Sequence, residues 1–486
     1  MSSNSYKIKV TAVVDTMSAD LLTPLAVYLK LAAAGNNSFL LESVEGGESL
    51  GRYSFIGVEP RFIARGNDRA VTVTTGENHE RLEISMIEFL RQHFDKYVLE
   101  PDASLPGFSG GAIGIMGFAC SAWFEPTLRA AVPRQDHEAV FMFCRRIVAF
   151  DHARQVVKIV SLVFADEAKN ETELAELIEH ERRHNNQIRN LLESASVTLP
   201  PPGRKTGETT VTSNFERADF EKAVLQIKHL IAAGDAYQVV LSQCFSRPTS
   251  VEPVAIYRAM RSINPSPYMF LIRLGGRSII GSSPEMLVRS NGSQLEYRPI
   301  AGTRPRGADA VKDEELANEM RADAKEVAEH LMLVDLGRND LGRVAEFGSV
   351  NVSGIMSVEK YSHVQHLVSY LSAKLRDRFD RFDALAACFP AGTVSGAPKV
   401  AAIEILSRLE PTPRGVYSGA VGYFDYSGNM DTCIAIRTMV LENDVATVQA
   451  GAGIVADSDP ASEYQETINK AAALLRAIEL AEGGNR

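Results

Sequence analysis

Two sets of carboxylates in this chain are spaced for chemistry on helices. Glu326 and Glu329 stand three apart within Asp313–Arg343, and Glu463, Glu466 and Lys470 stand at i, i+3 and i+7 near the C-terminus. On a helix each spacing brings the side chains to one side. Two glutamates alone are more often a solvated acidic face, and Glu466 with Lys470 makes a surface ion pair worth roughly a few tenths of a kcal/mol. The flank of the first pair tilts the balance. His330, Leu331, Met332, Leu333 and Val334 follow Glu329 directly, so these carboxylates border an apolar turn, where a carboxylate needs a cation or a donor. Two such helices facing one another would cage a hard divalent cation. Mg²⁺ suits that description, because it takes oxygen ligands, keeps waters and binds one or two carboxylates directly. A cation held in this way grips an anionic substrate.

Other residues each admit two readings. Arg437 closes the apolar segment CIAIR and is either a structural ion pair or a carboxylate anchor. His366, in VQHLVS, has the packed core histidine as its commoner fate. Gly392–Lys399, GTVSGAPK, suggests a phosphate loop but fails its spacing: three residues separate the glycines and no Gly-Lys-Ser/Thr follows. Gln449–Ala456 contains G-x-G-x-x-A, yet Asp457–Asp459 intervene before the next helix, unlike a dinucleotide-binding turn. Both loops offer backbone N–H groups and a threonine hydroxyl, suited to a carboxylate or a hydroxyl.

The elements that must position these residues follow from periodicity. Leu316, Met320, Val327, Leu331 and Val334 recur at helical steps, and no proline or glycine interrupts before Gly337, which predicts one helix over Asp313–Arg343. Asp459 and Pro460 read as N-cap and first residue of a final helix to Leu480. Asn214 or Asp219 is expected to cap a helix ending at Gly234. Ser18–Ala34 reads as a helix with Pro24 near its start, and Phe39–Ser43 and Arg52–Ile56 as strands around the glycine-rich turn Glu45–Gly51. Tyr268–Arg273 and Ser278–Ser282 read as a hairpin over Gly275 and Gly276. Leu295–Ile300 reads as one strand, and Phe389–Lys399 as a rigid loop.

The 486 residues suffice for two or three ordinary domains. LPPPGRKTGETTVTS is the clearest linker, giving an N-terminal region 1–200, a linker 201–214 and a catalytic region 215–486. Irregular alternation of strands and helices predicts an α+β protein with large antiparallel sheets flanked by helices. A net charge of -10 argues against nucleic acid or an anionic membrane surface as partner. No apolar run reaches the roughly 20 residues of a membrane span. The start MSSNSYKIKV does not read as a signal peptide, and five scattered cysteines give no disulfide or zinc framework. A cytoplasmic protein is expected.

The segments EVAEHLMLVDLGRNDLGRV, HVQHLVS, FPAGTVSGAPK, AIRT, QAGAGIVADSDP and EYQETINKA together resemble the chorismate-utilising enzymes, and within them the aminating branch that makes anthranilate. The resemblance covers essentially the whole chain and implies an orthogonal, sandwich-like arrangement of the sheets. It also implies roles. Glu329 and Glu466 resemble the Mg²⁺ ligands, with Glu326 and Glu463 in support, and the metal would hold the ring carboxylate of chorismate. Tyr417, Arg437, Gly451 and Gly453 resemble the contacts to the enolpyruvyl carboxylate, with Thr393 and Lys470 as further substrate contacts. His366 resembles the catalytic histidine and Glu285 the general acid that helps the ring hydroxyl leave.

Two positions discriminate within the family. Relatives that add water carry lysine where Gln238 stands; lysine can serve as the base for water, whereas ammonia needs no base. Aminodeoxychorismate synthase carries a nucleophilic lysine in a P-I-K-G-T motif that here reads Pro299-Ile300-Ala301-Gly302-Thr303. Both departures point to anthranilate formation. Leu41, Glu42 and Ser43, with Pro265, Tyr268, Met269 and Phe270, resemble the two halves of a tryptophan feedback site, which would act by differential binding to two states. No glutaminase motif is present, so glutamine-derived ammonia implies a separate amidotransferase subunit, in a heterotetramer on the resemblance. The alternatives are an enzyme that stops at 2-amino-2-deoxyisochorismate and a catalytically silent regulatory homologue.

Overall fold

In the computed structural model of the chain, which describes residues 7–32, 35–43, 51–135, 137–194, 196–197, 199, 210–361 and 364–483, the central strands are buried on both faces. The strand Tyr268–Leu274 shows why its sequence is almost wholly apolar. Phe270, Ile272 and Leu274 enter one core, while Met269 and Leu271 enter another. The period of two that normally separates an apolar face from a polar one here separates two apolar faces. Each fully buried side chain of this kind contributes about 1.5–3 kcal/mol relative to exposure.

Among the described residues thirteen strands form one sheet and twelve another. The first runs Thr212–Ser213, Gln238–Pro248, Val445–Ile454, Thr438–Glu442, Arg277–Ser283, Tyr268–Leu274, Asn37–Glu42, Tyr53–Val58, Arg146–Asp151, Val156–Phe164, Ile8–Ser18, Tyr97–Leu99, with Gly396–Ala397 beside Gln238–Pro248. The second runs Ile300–Pro305, Val364–Lys374, Gln294–Tyr297, Met286–Asn291, Met430–Ile434, Ala420–Asp425, Gly111–Met116, Ala139–Cys144, Phe62–Gly66, Val71–Thr75, Asn78–Leu82, with Asn351–Lys360 beside Val364–Lys374. The pairings are antiparallel except Ile8–Ser18 with Tyr97–Leu99. This is the expected α+β architecture. One core joins the two sheets, and a second lies between the first sheet and the helices Pro24–Ala32, Pro253–Ile263 and Pro460–Ala481. Strands from before and after the expected linker share both sheets, and residues 201–209 of that linker lie outside the described residues. Among the described residues no helix is long and apolar enough to cross a membrane.

Two strand crossovers place the functional residues. Arg277–Ser283 belongs to the first sheet and Met286–Asn291 to the second, so Pro284 and Glu285 lie where the chain changes sheets. Met430–Ile434 and Thr438–Glu442 make the reverse change, with Arg437 between them. The crossovers are adjacent: the Ile434 amide donates to the Glu285 carbonyl at 3.0 Å, and the Ser283 hydroxyl to the Ile434 carbonyl at 2.7 Å. Arg437 takes the left-handed conformation, φ 49°, which is costly for a non-glycine residue and persists where its surroundings fix it.

Several expected elements differ in detail. The stretch 313–343 is two helices, Ala310–Ala322 and Ala324–Gly342. Asp323 takes extended backbone and accepts hydrogen bonds from the Lys325 and Glu326 amides, capping the second. Neither Asn214 nor Asp219 caps Arg217–Ala233; Glu216 holds the N-cap position without a side-chain bond, and the Asn214 side-chain Oδ1 accepts from the Cys244 backbone amide instead. Residues 8–18 form a strand, so the first helix begins only at Pro24. The strand expected at Leu295–Ile300 divides into Gln294–Tyr297 and Ile300–Pro305, and Phe389–Lys399 contains the helical turn Gly392–Ser395. The expected turn Glu45–Gly51 lies, but for Gly51, outside the described residues.

Candidate active site

A cavity of about 630 Å³ opens where the crossovers, the helix Ala324–Gly342 and the final helix meet. Its wall includes Glu285, His366, Gln238, Thr393, Tyr417, Arg437, Gly451, Gly453, Lys470, Glu329, Glu463 and Glu466. Sequence reasoning named every one of these. Ala301, where a nucleophilic lysine would stand in another branch, lines it too.

Each side chain has a legible environment. The Thr393 hydroxyl donates to Glu285 Oε2 at 2.9 Å. Burial pushes the Glu285 carboxyl above the usual carboxylate range, against the pull of Thr393, Lys470 and Arg437, which suits a proton donor. His366 Nδ1 lies 2.9 Å from the Gly302 carbonyl and 3.1 Å from the Thr303 hydroxyl. A carbonyl only accepts, so the proton sits on Nδ1 and Nε2 keeps its lone pair. Burial holds the imidazole below its ordinary pKa, which keeps it neutral. Arg437 is lowered by burial, and among the described residues no carboxylate lies within ion-pair distance of it. That favours the carboxylate anchor over the structural ion pair. Burial pushes the Tyr417 hydroxyl up to about 12, so it is a hydrogen-bond donor.

Two glycines clear the floor. A Cβ on Gly451 would stand 2.7 Å from the Tyr417 hydroxyl and 3.0 Å from the Leu241 carbonyl, and one on Gly453 would stand 2.6 Å from Gln238 Nε2.

The glutamates from the two helices share this cavity. Burial raises Glu329 first, then repulsion from Glu326 and Glu466 adds to it; burial and then Glu466 raise Glu463. Among the described residues no three acidic, histidine or cysteine side chains stand together closely enough to hold a metal ion by themselves. What the two helices supply is a set of mutually repelling carboxylates, oxygen donors of the kind Mg²⁺ takes one or two of directly. Glu326 stands apart: it accepts from Arg304 Nη1 at 2.9 Å and is not on the cavity wall. Glu466 pairs with Lys470 at 2.6 Å, and Lys470 also donates to the Gly451 carbonyl at 3.0 Å. The surface ion pair of the plainer reading is therefore present, inside the site.

Sequence reasoning missed three residues. Arg304 clamps Glu319, Asp323 and Glu326; Asp323 followed three residues later by Glu326 is a capping-box spacing that signals the helix start. Lys325 lines the mouth. Arg414, buried beside Glu410, donates to the carbonyls of Val240 and Val394 and to the Ser418 hydroxyl, joining three segments of the floor; nothing in its local sequence signals that.

A second cavity, about 240 Å³, is lined by Leu41, Glu42, Ser43, Tyr268, Met269 and Phe270, from two strands paired in the first sheet. Pro265 does not line it; Pro267, directly before Tyr268, does. Glu42 is buried, accepts from the Tyr257 hydroxyl at 2.5 Å and is raised by that burial. Tyr268 donates to Asp431, which pairs with Arg289 at 2.8 Å.

Crossovers between two antiparallel-rich sheets, with carboxylates from two helices and an arginine that has no carboxylate partner among the described residues lining one cavity, define a class. Residues 36–476 match the chorismate binding enzyme family, and the chain belongs to that family. It is similar to anthranilate synthase component 1 of Pseudomonas aeruginosa, at 45% identity over 96% of this chain and 94% of that protein, and to that of Bacillus subtilis, at 41% over 97% and 92%. The crystal structure of anthranilate synthase component I from Streptococcus pneumoniae superposes with a TM-score of 0.75 at 33% identity, covering 94% of this chain and 98% of that one. The menaquinone-specific isochorismate synthase of Escherichia coli shares the fold, with a TM-score of 0.71 at 20% identity, covering 97% and 95%.

Proposed function

We propose that the chain makes anthranilate and pyruvate from chorismate and ammonia, the first committed step of tryptophan biosynthesis, with Mg²⁺ as cofactor. The observation that carries this reading is the cavity's two receptors for negative charge, Arg437, which among the described residues has no carboxylate within ion-pair distance, and a carboxylate set from two helices suited to a cation, with Gln238 on its wall at the position where relatives that add water carry lysine. Chorismate carries two carboxylates, and the names of the relatives favour amination over hydration. Glu329, Glu466 and Glu463 would hold Mg²⁺, which when bound supplies positive charge to the ring carboxylate. Arg437 and the Tyr417 hydroxyl receive the enolpyruvyl carboxylate, and the space at Gly451 and Gly453 lets the substrate approach the strand.

Ammonia attacks the ring carbon beside the carboxylated one. The allylic hydroxyl departs as water, taking its proton from Glu285, while the double bonds shift. The ammonium formed loses a proton, and Glu285 is recharged. His366 Nε2 then removes the hydrogen from the aminated carbon, the enolpyruvyl group leaves as pyruvate after protonation, and the ring becomes aromatic. Within this reading the ammonia comes from glutamine through a partner amidotransferase in a heterotetramer, which the component 1 in the relatives' names supports. The second cavity is the tryptophan feedback site.

Anthranilate fluorescence from the purified chain with chorismate, Mg²⁺ and an ammonium salt tests the reading. The expected signal disappears on chelation and falls with tryptophan. Chorismate consumed without anthranilate would replace the reading with one that stops at aminodeoxyisochorismate.

A further inference from the structure

His366 is flanked by strands on both sides. On Val364–Lys374 it stands opposite Thr303 of Ile300–Pro305 in one pairing and opposite Glu359 of Asn351–Lys360 in the other. From the first side come two contacts, the Thr303 hydroxyl and the Gly302 carbonyl, both at Nδ1. A hydrogen bond at one end of an imidazole fixes that nitrogen. It leaves the far nitrogen to swing, because the second side-chain torsion of histidine is broad. Nε2, the atom on which the proposed elimination depends, is therefore the one that Gly302 restrains least.

The second side supplies the missing restraint. The Tyr361 ring packs edge to face with the His366 imidazole, with ring centres 5.5 Å apart and planes at 64°. The tyrosine is itself held. Its hydroxyl donates to Glu359 Oε2 at 2.9 Å and accepts from Arg298 Nη2 at 2.9 Å. Arg298 is buried and pairs with the same carboxylate, and the Tyr370 hydroxyl donates to its other oxygen. Glu359 is the cross-strand neighbour of His366, and directly opposite side chains in a sheet lie close enough to interact. A free carboxylate there would compete for the Nδ1 proton. Three donors occupy it instead, so the imidazole keeps its carbonyl partner and the carboxylate anchors the Tyr361 ring. His366 lines the cavity, and these four side chains do not.

We propose that Tyr361, anchored by Arg298 and Glu359, is a positioning residue for the second half of the reaction: its ring holds the imidazole so that Nε2 faces the aminated carbon. The proposal rests on the reading in which His366 serves aromatisation. It gives a use to a tyrosine outside the cavity that is fixed by a buried arginine and a carboxylate at once.

The test compares anthranilate formed with chorismate consumed, on the full chain with Mg²⁺ and an ammonium salt, in Tyr361→Leu, Tyr361→Met and Tyr361→Phe. Tyr361→Met fills the space without a flat ring and keeps the test open where Tyr361→Leu does not fold; circular dichroism checks each. Expected is a ratio of anthranilate to chorismate lowered about tenfold or more in Tyr361→Leu and Tyr361→Met, with aminodeoxyisochorismate making up the difference. Tyr361→Phe keeps the ring and should recover most of the ratio. Purified aminodeoxyisochorismate given as substrate isolates the second half and should rank the variants in the same order. An unchanged ratio in the folded variants overturns the role. So does a common fall in consumption and anthranilate, or a loss of folding in both Tyr361→Leu and Tyr361→Met, since either makes Tyr361 a structural residue. His366→Asn is the control for the underlying reading. A wild-type ratio there removes His366 from aromatisation, and this role with it, and is told apart by needing no Tyr361 variant.

Discussion

The Thr393 hydroxyl donates to the Glu285 carboxylate across 2.9 Å, from a helical turn to a strand crossover more than a hundred residues away in sequence. That bond is the main force opposing the upward shift that burial imposes on Glu285. Thr393→Val should therefore raise the Glu285 pKa further and move the alkaline limb of the kcat/KM profile upward, while Thr393→Ser leaves it in place. Glu285→Gln removes the proton donor and should lower kcat by about a hundredfold or more. A Thr393→Val limb that stays put would separate Thr393 from the acid.

The same shift has a consequence for stability. Glu285 keeps its proton in the folded chain at pH values where the unfolded chain has lost it. Between the ordinary carboxylate range and the raised value the native state binds more protons, so stability falls as pH rises through that window. Glu285→Gln cannot ionise. Its thermal midpoint should match wild type at low pH and exceed it near neutrality. Equal midpoints throughout would show that the carboxyl ionises as readily inside as outside.

The floor glycines differ in what an added methyl group meets. At Gly451 it meets the Tyr417 hydroxyl and a backbone carbonyl; at Gly453 it meets only the tip of Gln238. Tyr417 is packed against the buried Arg414 guanidinium, 5.4 Å from its ring centre, and has little freedom to move. Gly451→Ala should raise the chorismate KM about tenfold or more, with a smaller effect from Gly453→Ala. The reverse order would mean that Gln238, not Tyr417, limits the floor.

The site was more legible in sequence than the fold that holds it. Glu329, Glu466 and Glu463 could be placed from helical spacing because three- and four-residue steps fix a helix face. Arg437 could only be weighed, because its meaning depends on whether a distant carboxylate pairs with it. The break at Asp323 was hidden by the absence of proline and glycine: a capping side chain ended one helix and began the next. Glu326 belonged on the same side as Glu329 by spacing, but Arg304, from a strand in the second sheet, holds it off the cavity wall. That two crossovers bring Glu285 and Arg437 together is a property of sheet order, which no local pattern encodes.

A strand that lines the second cavity is paired with the strand that leads to Glu285. Tyr268, on the wall of that cavity, is paired with Ser283, two residues before Glu285. A ligand that prefers one position of Tyr268 therefore biases the crossover, which is coupling by differential binding. Ser43→Phe places an aromatic ring in a space of about 240 Å³. It should abolish inhibition by tryptophan and leave kcat within about twofold. Retained inhibition would remove tryptophan from this cavity.

On the proposed reading, His366 separates the two halves of the reaction. Its Nδ1 proton is committed to the Gly302 carbonyl, which leaves Nε2 as an acceptor on the cavity wall. Amination needs no base, since ammonia arrives with its own lone pair, but aromatisation requires a hydrogen to leave carbon. His366→Asn should therefore continue to consume chorismate while anthranilate falls by about a hundredfold, and aminodeoxyisochorismate should accumulate on chromatography. The pH profile offers a second readout. Burial holds the imidazole below its ordinary pKa, so in the wild-type chain the acid limb of anthranilate formation should lie below the ordinary histidine range, where protonation of Nε2 removes the base. That limb should vanish from the residual activity of His366→Asn. If chorismate consumption and anthranilate fell together, the histidine would belong to substrate binding and the hydrogen would have another acceptor.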